Sequence, residues 1–382
     1  MKNTFDDAVV GAGIIGLAHA YHLAKQGRRV IVFERGFKAQ GASVRNFGML
    51  WPIGQPAGAM HALAMRSREI WLNLLQESGI WHEQTGSLHL AYEQDEEAVL
   101  QEFIAAAPNA GYAVEWWTPE QVAQSTSSVK QNGLRGAMWS ASEVCVDPRE
   151  VVGKLPAFLS DYYGVTFRFG TTVTGYNRPT VYSSSGEFDA ENLYVCSGDD
   201  LQTLYPSVFA DSGVRRCKLQ MMRSAPTDAG WKLGPMLAAG LTLRHYRSFE
   251  GCPTLPELRR RFATEAPEYD RYGIHVMASQ NGSGELVLGD SHEYDAEIEP
   301  FDKDEIDRLV LDYLHGFLNV PRLHIASRWH GIYIKYPEKP FLVAQPEPGV
   351  TVTGAVGGAG MTLSFGLVEA VASQNFDERQ FS

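Results

Sequence analysis

The sequence has few of the features that mark specialised protein classes. No apolar run approaches the roughly 18 uncharged residues of a membrane-spanning helix. Only four cysteines occur, Cys145, Cys196, Cys217 and Cys252, with no CxxC pair and no zinc-ligand spacing. They are expected to be free thiols of a reducing cytosol, and no metal is expected from them. Basic residues number 33 against 45 acidic ones, giving a net charge of −12 with no basic run. That excludes nucleic acid or an anionic membrane surface as the main partner, while a local basic pocket for a small anion stays compatible. There is no GxSxG nucleophile elbow, no internal repeat and no low-complexity tract. The chain opens Met1-Lys2-Asn3-Thr4-Phe5-Asp6-Asp7 straight into an apolar strand, so neither a secretory leader nor a lipid signal is expected. The expected compartment is the cytoplasm.

What is present begins with Ala8-Val9-Val10, an apolar strand end, followed by Gly11-Ala12-Gly13-Ile14-Ile15-Gly16. Ile14, Leu17, Ala18 and Tyr21 then recur at helical spacing. A second apolar strand, Val30-Ile31-Val32-Phe33, ends at Glu34, 18 residues after Gly16. This order of strand, glycine turn, helix, strand and acid predicts a dinucleotide-binding βαβ unit. Gly11 permits the turn, Gly13 lets backbone approach a pyrophosphate, and Gly16 lets the helix lie close. The helix N-terminus offers unpaired N–H groups to phosphate. Glu34 is placed to accept hydrogen bonds from ribose hydroxyls.

Two further stretches bear on which dinucleotide binds. Gly41-Ala42-Ser43-Val44-Arg45-Asn46-Phe47-Gly48-Met49 is a small, polar, glycine-bounded loop suited to lie against a flavin. Near the other end, Thr351-Val352-Thr353-Gly354 leads into Gly357-Gly358-Ala359-Gly360-Met361-Thr362 and a helical pattern through Leu363, Leu367, Ala370 and Val371. The positive end of that helix would stabilise negative charge on a reduced flavin ring. Contacts from both ends of the chain suit the long FAD molecule better than NAD.

A helix capped at Asp147-Pro148, a strand near Val165–Phe169, a turn at Val173 on the adenine side, and the strand Leu193–Cys196 ending at Ser197-Gly198 extend the nucleotide-binding part. The remainder, including Leu241–Tyr246, Ile274–Ala278 and Leu286–Asp290, reads as a largely antiparallel sheet with flanking helices. The predicted fold is α/β: a Rossmann-like FAD domain (residues 1–85, 146–218 and 325–382) interleaved with a mainly antiparallel substrate domain (86–145 and 219–324). The acidic runs at Asp95–Glu97 and Asp302–Asp307 read as exposed helix faces without metal-loop spacing.

The Gly11–Gly16 motif, the Gly41–Gly48 loop, the Val195–Gly198 strand end and the Gly354–Ser364 run together resemble the D-amino-acid-oxidase-like flavoprotein superfamily, to which glycine oxidase and sarcosine oxidase belong. The resemblance runs through the whole chain in order. It implies FAD contacts from Gly11, Gly13, Ile14, Ile15 and Gly16, then from Glu34 and Arg35. The middle loop would add Ala42, Ser43, Arg45, Asn46, Gly48 and Met49. Val173, Ser197, Gly198 and Gly331 follow, and the closing turn contributes Gly357, Gly358, Ala359, Gly360, Met361 and Thr362. A narrower resemblance rests on Arg45–Pro56, Gly289–Tyr294 and Arg328–Gly331. It points to a subgroup linked with aminophosphonate breakdown, with 2-aminoethylphosphonate or its N-methyl form as substrate.

Departures from the relatives carry implications of their own. Tyr333 follows Trp329-His330-Gly331-Ile332 where glycine oxidase has a carboxylate-clamping arginine. Thr362 stands for sarcosine oxidase's carboxylate lysine, and Val287 for its oxygen-activating lysine. No cysteine follows Cys252, so the flavin is expected to be non-covalent. The implied chemistry is hydride transfer from the carbon beside nitrogen to flavin N5. The resulting imine hydrolyses to an aldehyde plus ammonia or methylamine. Electrons then pass to O2 or to a quinone or carrier. A redox-silent flavin-binding subunit is the reading from another class. No side chain is required as a catalytic base, and His330 and Tyr333 are the orienting candidates. An anionic amine needs convergent donors. The candidates are Arg45, Arg244, His245, Tyr246, Arg247, His275, His330, Tyr333 and Lys335, with Met49 and Trp51 as apolar lining. In the predicted strand Leu243–Arg247, alternation puts Arg244 and Tyr246 on one face and His245 and Arg247 on the other. Arg244 is equally compatible with a surface ion pair, and His275 with a satisfied core histidine.

Overall fold

The computed structural model describes residues 4–210, 212–228, 230–295, 297–373 and 376–381. Five parallel strands form the centre of an eight-stranded sheet, in the order Val350–Gly354, Gly186–Val195, Thr4–Val10, Val30–Glu34 and Thr166–Phe169. The first strand lies in the middle, so the chain leaves it toward both edges, and ligands bind at such a switch point beyond the strand carboxyl ends. Register sets that point. Val10 pairs with Phe33 on one side and Val195 on the other, so Gly11, Glu34 and Cys196 leave the sheet at one level. Backbone bonds hold them there: Gly11 N–H donates to Phe33 at 2.7 Å and Cys196 N–H to Val10 at 2.9 Å.

The helices Ile14–Lys25, Ala59–Ser78 and Gly360–Ala372 cover one face of this sheet, burying Leu17, Trp71, Leu74, Phe365 and Val368. The opposite face is closed by Ile31, Phe33, Phe188 and Val352. Both faces are thus covered, as a parallel sheet requires. Among the described residues no helix is long and apolar enough to cross a membrane. All four cysteines are unpaired and buried.

A nine-stranded sheet, antiparallel except for one pair, carries most of the remaining chain. Ser87–Ala91, Val114–Trp117 and Gly136–Ser140 fall in it, as do Met277–Gln280 and Glu285–Gly289. Ile325–Lys335 is a correction. It was expected in the nucleotide-binding part, within 325–382, but it pairs with Arg215–Pro226 in the second sheet, Lys335 opposite Arg215 and Ile325 opposite Ser224. Its carboxyl-terminal half, Gly331–Lys335, lines the main cavity.

Three other expectations are also corrected. Leu241–Arg247 is not a strand: Gly240–Leu243 is a short helix and Arg247–Phe249 a 3-10 turn. Leu241, Thr242 and Leu243 are all buried, which a half-exposed alternating strand would not allow. Glu96 is buried rather than part of an exposed face, bonded to Arg261 at 3.0 Å. Asp307 is likewise buried, 2.8 Å from Arg328 and 3.2 Å from the Gln220 amide.

Candidate active site

A single cavity of about 910 Å³ runs from the first glycine turn to the second sheet. That is near the upper end of the roughly 300–1,000 Å³ usual for small-molecule sites. Gly11, Gly13 and Gly357–Gly360 all line it, so the two glycine turns from opposite ends of the chain share one groove.

The first helix begins at Ile14 without a cap from its own N-cap residue, Gly13, and without acid in its first turn. Ser43, in the loop 29 residues away, accepts the Ile14 N–H at 2.9 Å. Glu34 uses both carboxylate oxygens, one accepting from Ala12 N–H of the glycine turn at 3.0 Å and the other from Gly36 N–H, just past its own strand, at 2.9 Å. Each oxygen keeps lone-pair capacity for a further donor such as a ribose hydroxyl. The close approach is steric as well: a Cβ on Gly11 (φ +98°) would lie 2.4 Å from the Cys196 carbonyl oxygen. At the far end, the helix Gly360–Ala372 also starts without a side-chain cap or first-turn acid. Two helix N-termini free of first-turn acid on one elongated groove fit the pyrophosphate and ring of a flavin dinucleotide.

Most sequence-predicted cofactor residues line this cavity: Ile14, Ile15, Arg35, Ala42, Ser43, Arg45, Asn46, Met49, Val173, Ser197, Gly198, Gly331, Met361 and Thr362 join those already described. Val173 does so from the start of the strand Val173–Asn177 rather than from a turn. Gly16 and Gly48 do not line it. Gly16 packs onto Gly11, where a Cβ would lie 1.8 Å from its carbonyl oxygen, and Gly48 packs onto the Val146 carbonyl.

Met49, Trp51, Tyr246, His275, Tyr333 and Lys335, the residues expected to line a substrate pocket, line the same cavity. Trp51 is fixed through its backbone N–H, which donates to the Thr362 hydroxyl at 2.9 Å. Arg45 Nη1 donates to the His330 carbonyl at 3.2 Å. Burial pushes the phenols of Tyr246 and Tyr333 well up, so both keep their protons. Lys335 Nζ donates to the Tyr294 hydroxyl at 3.4 Å.

Two predicted residues are elsewhere. Arg244 turns away to an ion pair with Asp270 and stacks over Phe262 at 5.0 Å. The His330 ring, 2.8 Å from Asp302, faces a separate cavity of about 480 Å³. Conversely, His245, Arg247, Asp290, His292 and Tyr294 line the main cavity. Alternation in Gly289–Tyr294 was the signal for the last group, since Asp290, His292 and Tyr294 share one side. His245 and Arg247 were assigned to the face opposite Tyr246 because a turn was read as a strand.

The three histidines form a cluster. Ring centroids of His245 and His275 are 3.8 Å apart, those of His245 and His292 4.6 Å, and those of His275 and His292 5.1 Å. Desolvation, with His275 and His292 alongside, holds the His245 imidazole well below the usual histidine range. Burial likewise lowers His292, against the opposing pull of Asp290.

The fold and groove define a class: a flavin-dependent oxidoreductase built from a doubly wound domain and an antiparallel sheet. The chain matches the family described as "DAO: FAD dependent oxidoreductase" over residues 6–374 and belongs to it; its cofactor is FAD. A glycine oxidase of Geobacillus kaustophilus is 27% identical over 213 residues, covering 52% of this chain and 55% of that enzyme. The chain thus spans about half the length of such curated relatives. The crystal structure of glycine oxidase from the same organism superposes with a TM-score of 0.78 at 20% identity, covering 100% of this chain and 98% of that one. L-proline dehydrogenase from P. horikoshii superposes with a TM-score of 0.76 at 20% identity, covering 97% and 93%.

Proposed function

We propose that this chain oxidises the C–N bond of a small anionic amine, 2-aminoethylphosphonate or its N-methyl form, giving an aldehyde and ammonia or methylamine. The observation that carries this reading is the one cavity in which both glycine turns face Tyr246, Arg247, Tyr333 and Lys335. When bound, FAD supplies a two-electron acceptor for the C–H bond beside nitrogen.

The chain's own residues bind and orient. Arg247 and Lys335 bring positive charge to the cavity wall of a protein whose net charge is −12, so the attraction for an anion is local. Tyr246 and Tyr333 retain hydroxyl protons and can donate to the substrate. Met49, Trp51, Leu219 and Met277, each under 10% exposed, keep water from the carbon to be oxidised. Tyr333 and Thr362 stand where the resemblance implies carboxylate-binding arginine and lysine, which supports a substrate whose anion is not an α-carboxylate. The flavin is held without a covalent bond, and the four unpaired thiols fit the cytoplasm.

Anaerobic mixing of the FAD-loaded protein with 2-aminoethylphosphonate, its N-methyl form, glycine, sarcosine and D-alanine tests the substrate. The phosphonates should bleach the flavin fastest, and faster bleaching by the α-amino acids would overturn the assignment. Peroxide formed on readmitting air separates O2 from a quinone or carrier as acceptor. Release of the flavin on acid precipitation tests its non-covalent attachment.

A further inference from the structure

We propose that His245, His275 and His292 form a binding site for one divalent transition-metal ion on the wall of the main cavity. This goes beyond the reaction proposed above and does not depend on which amine is oxidised.

The argument starts from position. The three rings come from three separate pieces of chain: the turn after Gly240–Leu243, and the residues just before the strands Met277–Gln280 and Glu293–Asp295. Each offers a nitrogen, and the three nitrogens lie within 4.8 Å of one another. On a tetrahedral ion with metal–nitrogen bonds of about 2.1 Å, two such nitrogens are about 3.4 Å apart, so small ring rotations would close the set. Three histidines leave a further position open toward the cavity, the pattern of ions that take an exchangeable ligand.

The surroundings orient the rings as metal ligands are oriented. His292 Nδ1 lies 3.0 Å from the Gly273 carbonyl, which can only accept, so the ring proton sits on Nδ1 and Nε2 is bare. His275 is 3% exposed and its Nδ1 has no hydrogen-bond partner. Its Nε2 is 3.0 Å from Asp290 Oδ1, an oxygen that is itself buried and lacks a hydrogen bond. His292 Nε2 is 3.8 Å from the other oxygen of Asp290. A buried imidazole nitrogen and a buried carboxylate oxygen left without hydrogen bonds in one cluster are both satisfied by a cation.

Asp290 also decides between the two ligands such a cluster attracts. A phosphonate or carboxylate would be repelled by a carboxylate at this distance, whereas a cation gains from it. Of the neighbouring cations, Arg244 is paired with Asp270, while Lys335 stays on the same cavity wall with its Nζ on the Tyr294 hydroxyl. Imidazoles with a nearby carboxylate suit zinc, cobalt or nickel rather than magnesium or calcium.

Tag-free, FAD-loaded protein, stripped with chelator, is titrated with Co2+ and followed at wavelengths beyond the flavin bands. One Co2+ per chain is expected. Its affinity should fall at least tenfold in His275→Ala and His292→Ala, and stay within twofold in His330→Ala, whose ring lies outside this cavity. No stoichiometric binding, or binding unchanged in both variants, would overturn the proposal. X-ray absorption of the wild-type zinc form gives a reading that does not depend on variant folding. A shell of three imidazoles supports the site, whereas sulfur ligands or oxygen ligands alone refute it.

Discussion

His19 Nε2 lies 3.2 Å from the Thr353 hydroxyl, joining the first helix to the strand that feeds the closing glycine turn across 334 residues of sequence. The two ends of the chain are therefore tied beneath the groove they both line. His19 is 2% exposed, and burial takes its pKa down to about 3. His89, fully buried in the second sheet, is also brought to about 3 by burial.

This pair predicts an acid-sensitive fold. Both rings stay neutral in the folded chain but protonate below about pH 6.5 once unfolded. The unfolded state binds more protons between about pH 3 and 6.5, so this contribution is complete above 6.5 and is lost as pH falls through that window. At pH 5 the loss is about 2 kcal/mol per histidine. Buried Glu143, whose pKa is raised, pulls the other way, so the informative quantity is the difference between wild type and variant. Urea denaturation at pH 7.5 and pH 5 should show a smaller stability loss in His19→Asn and in His89→Leu, by about that amount each. Parallel profiles would exclude the assignment.

Gly48 supplies a second prediction: it was expected to touch the cofactor, and it packs onto the Val146 carbonyl outside the main cavity lining. Its φ is +72°, and a Cβ would lie 2.0 Å from the Val146 carbonyl oxygen. Gly48→Ala should therefore strain the backbone and force the 3-stranded ribbon of Met49–Leu50, Val144–Val146 and His82–Glu83 apart. A loss of at least about 2 kcal/mol is expected. It should appear equally in FAD-free and FAD-loaded protein by thermal denaturation. A defect confined to flavin affinity would return Gly48 to the cofactor site.

The parts of the fold that were legible from sequence are those written in local pattern. Gly11–Gly16 with Glu34, and Gly357–Gly360, each announce a strand, turn and helix within a few residues, and they line one cavity as anticipated. What escaped depends on partners far away. Glu96 looks like one acid in an exposed run until Arg261, 165 residues on, is brought against it. His245, His275 and His292 are spaced too widely for any ligand-spacing rule, and only the meeting of three loops makes them a cluster. Arg244 failed for a different reason. The apolar Leu241–Leu243 run is shared by strands and buried helices, and length alone could not separate them.

The charges at the cavity wall give a third prediction. Lys335 lines the cavity, whereas Arg244 lies outside it with Asp270. With an anionic amine as substrate, Lys335→Met should raise KM about tenfold or more while changing kcat little, the behaviour of a group that binds ground and transition state alike. Arg244→Met should leave both within about twofold provided the protein folds, checked by its flavin spectrum. A neutral amine that is turned over should be indifferent to Lys335→Met. Equal sensitivity of charged and neutral amines would show that Lys335 acts through structure and not through charge.

Arg261 and Glu96 give the last. Glu96 Oε2 accepts the Tyr92 N–H at 2.8 Å and the Glu93 N–H at 3.2 Å, closing the first turn of the helix Gln94–Ala110, while Oε1 faces Arg261. Arg261 also bonds Asp95 at 2.7 Å. Burial already raises the Glu96 pKa, and Arg261 restrains it. Arg261→Met removes that restraint and leaves a buried carboxylate without its counter-ion, at a cost of about 3 kcal/mol near neutral pH. The folded Glu96 pKa then stands further above its unfolded value, so the folded state gains protons as pH falls and the penalty shrinks between pH 8 and pH 5. Adding Glu96→Gln to Arg261→Met should recover most of the loss and flatten that pH dependence, since the amide oxygen can still accept both backbone N–H groups. If the double variant were as unstable as Arg261→Met at both pH values, the loss would lie in the packing of the arginine stem on Phe262, 4.4 Å from the guanidinium, and not in the charge it neutralises.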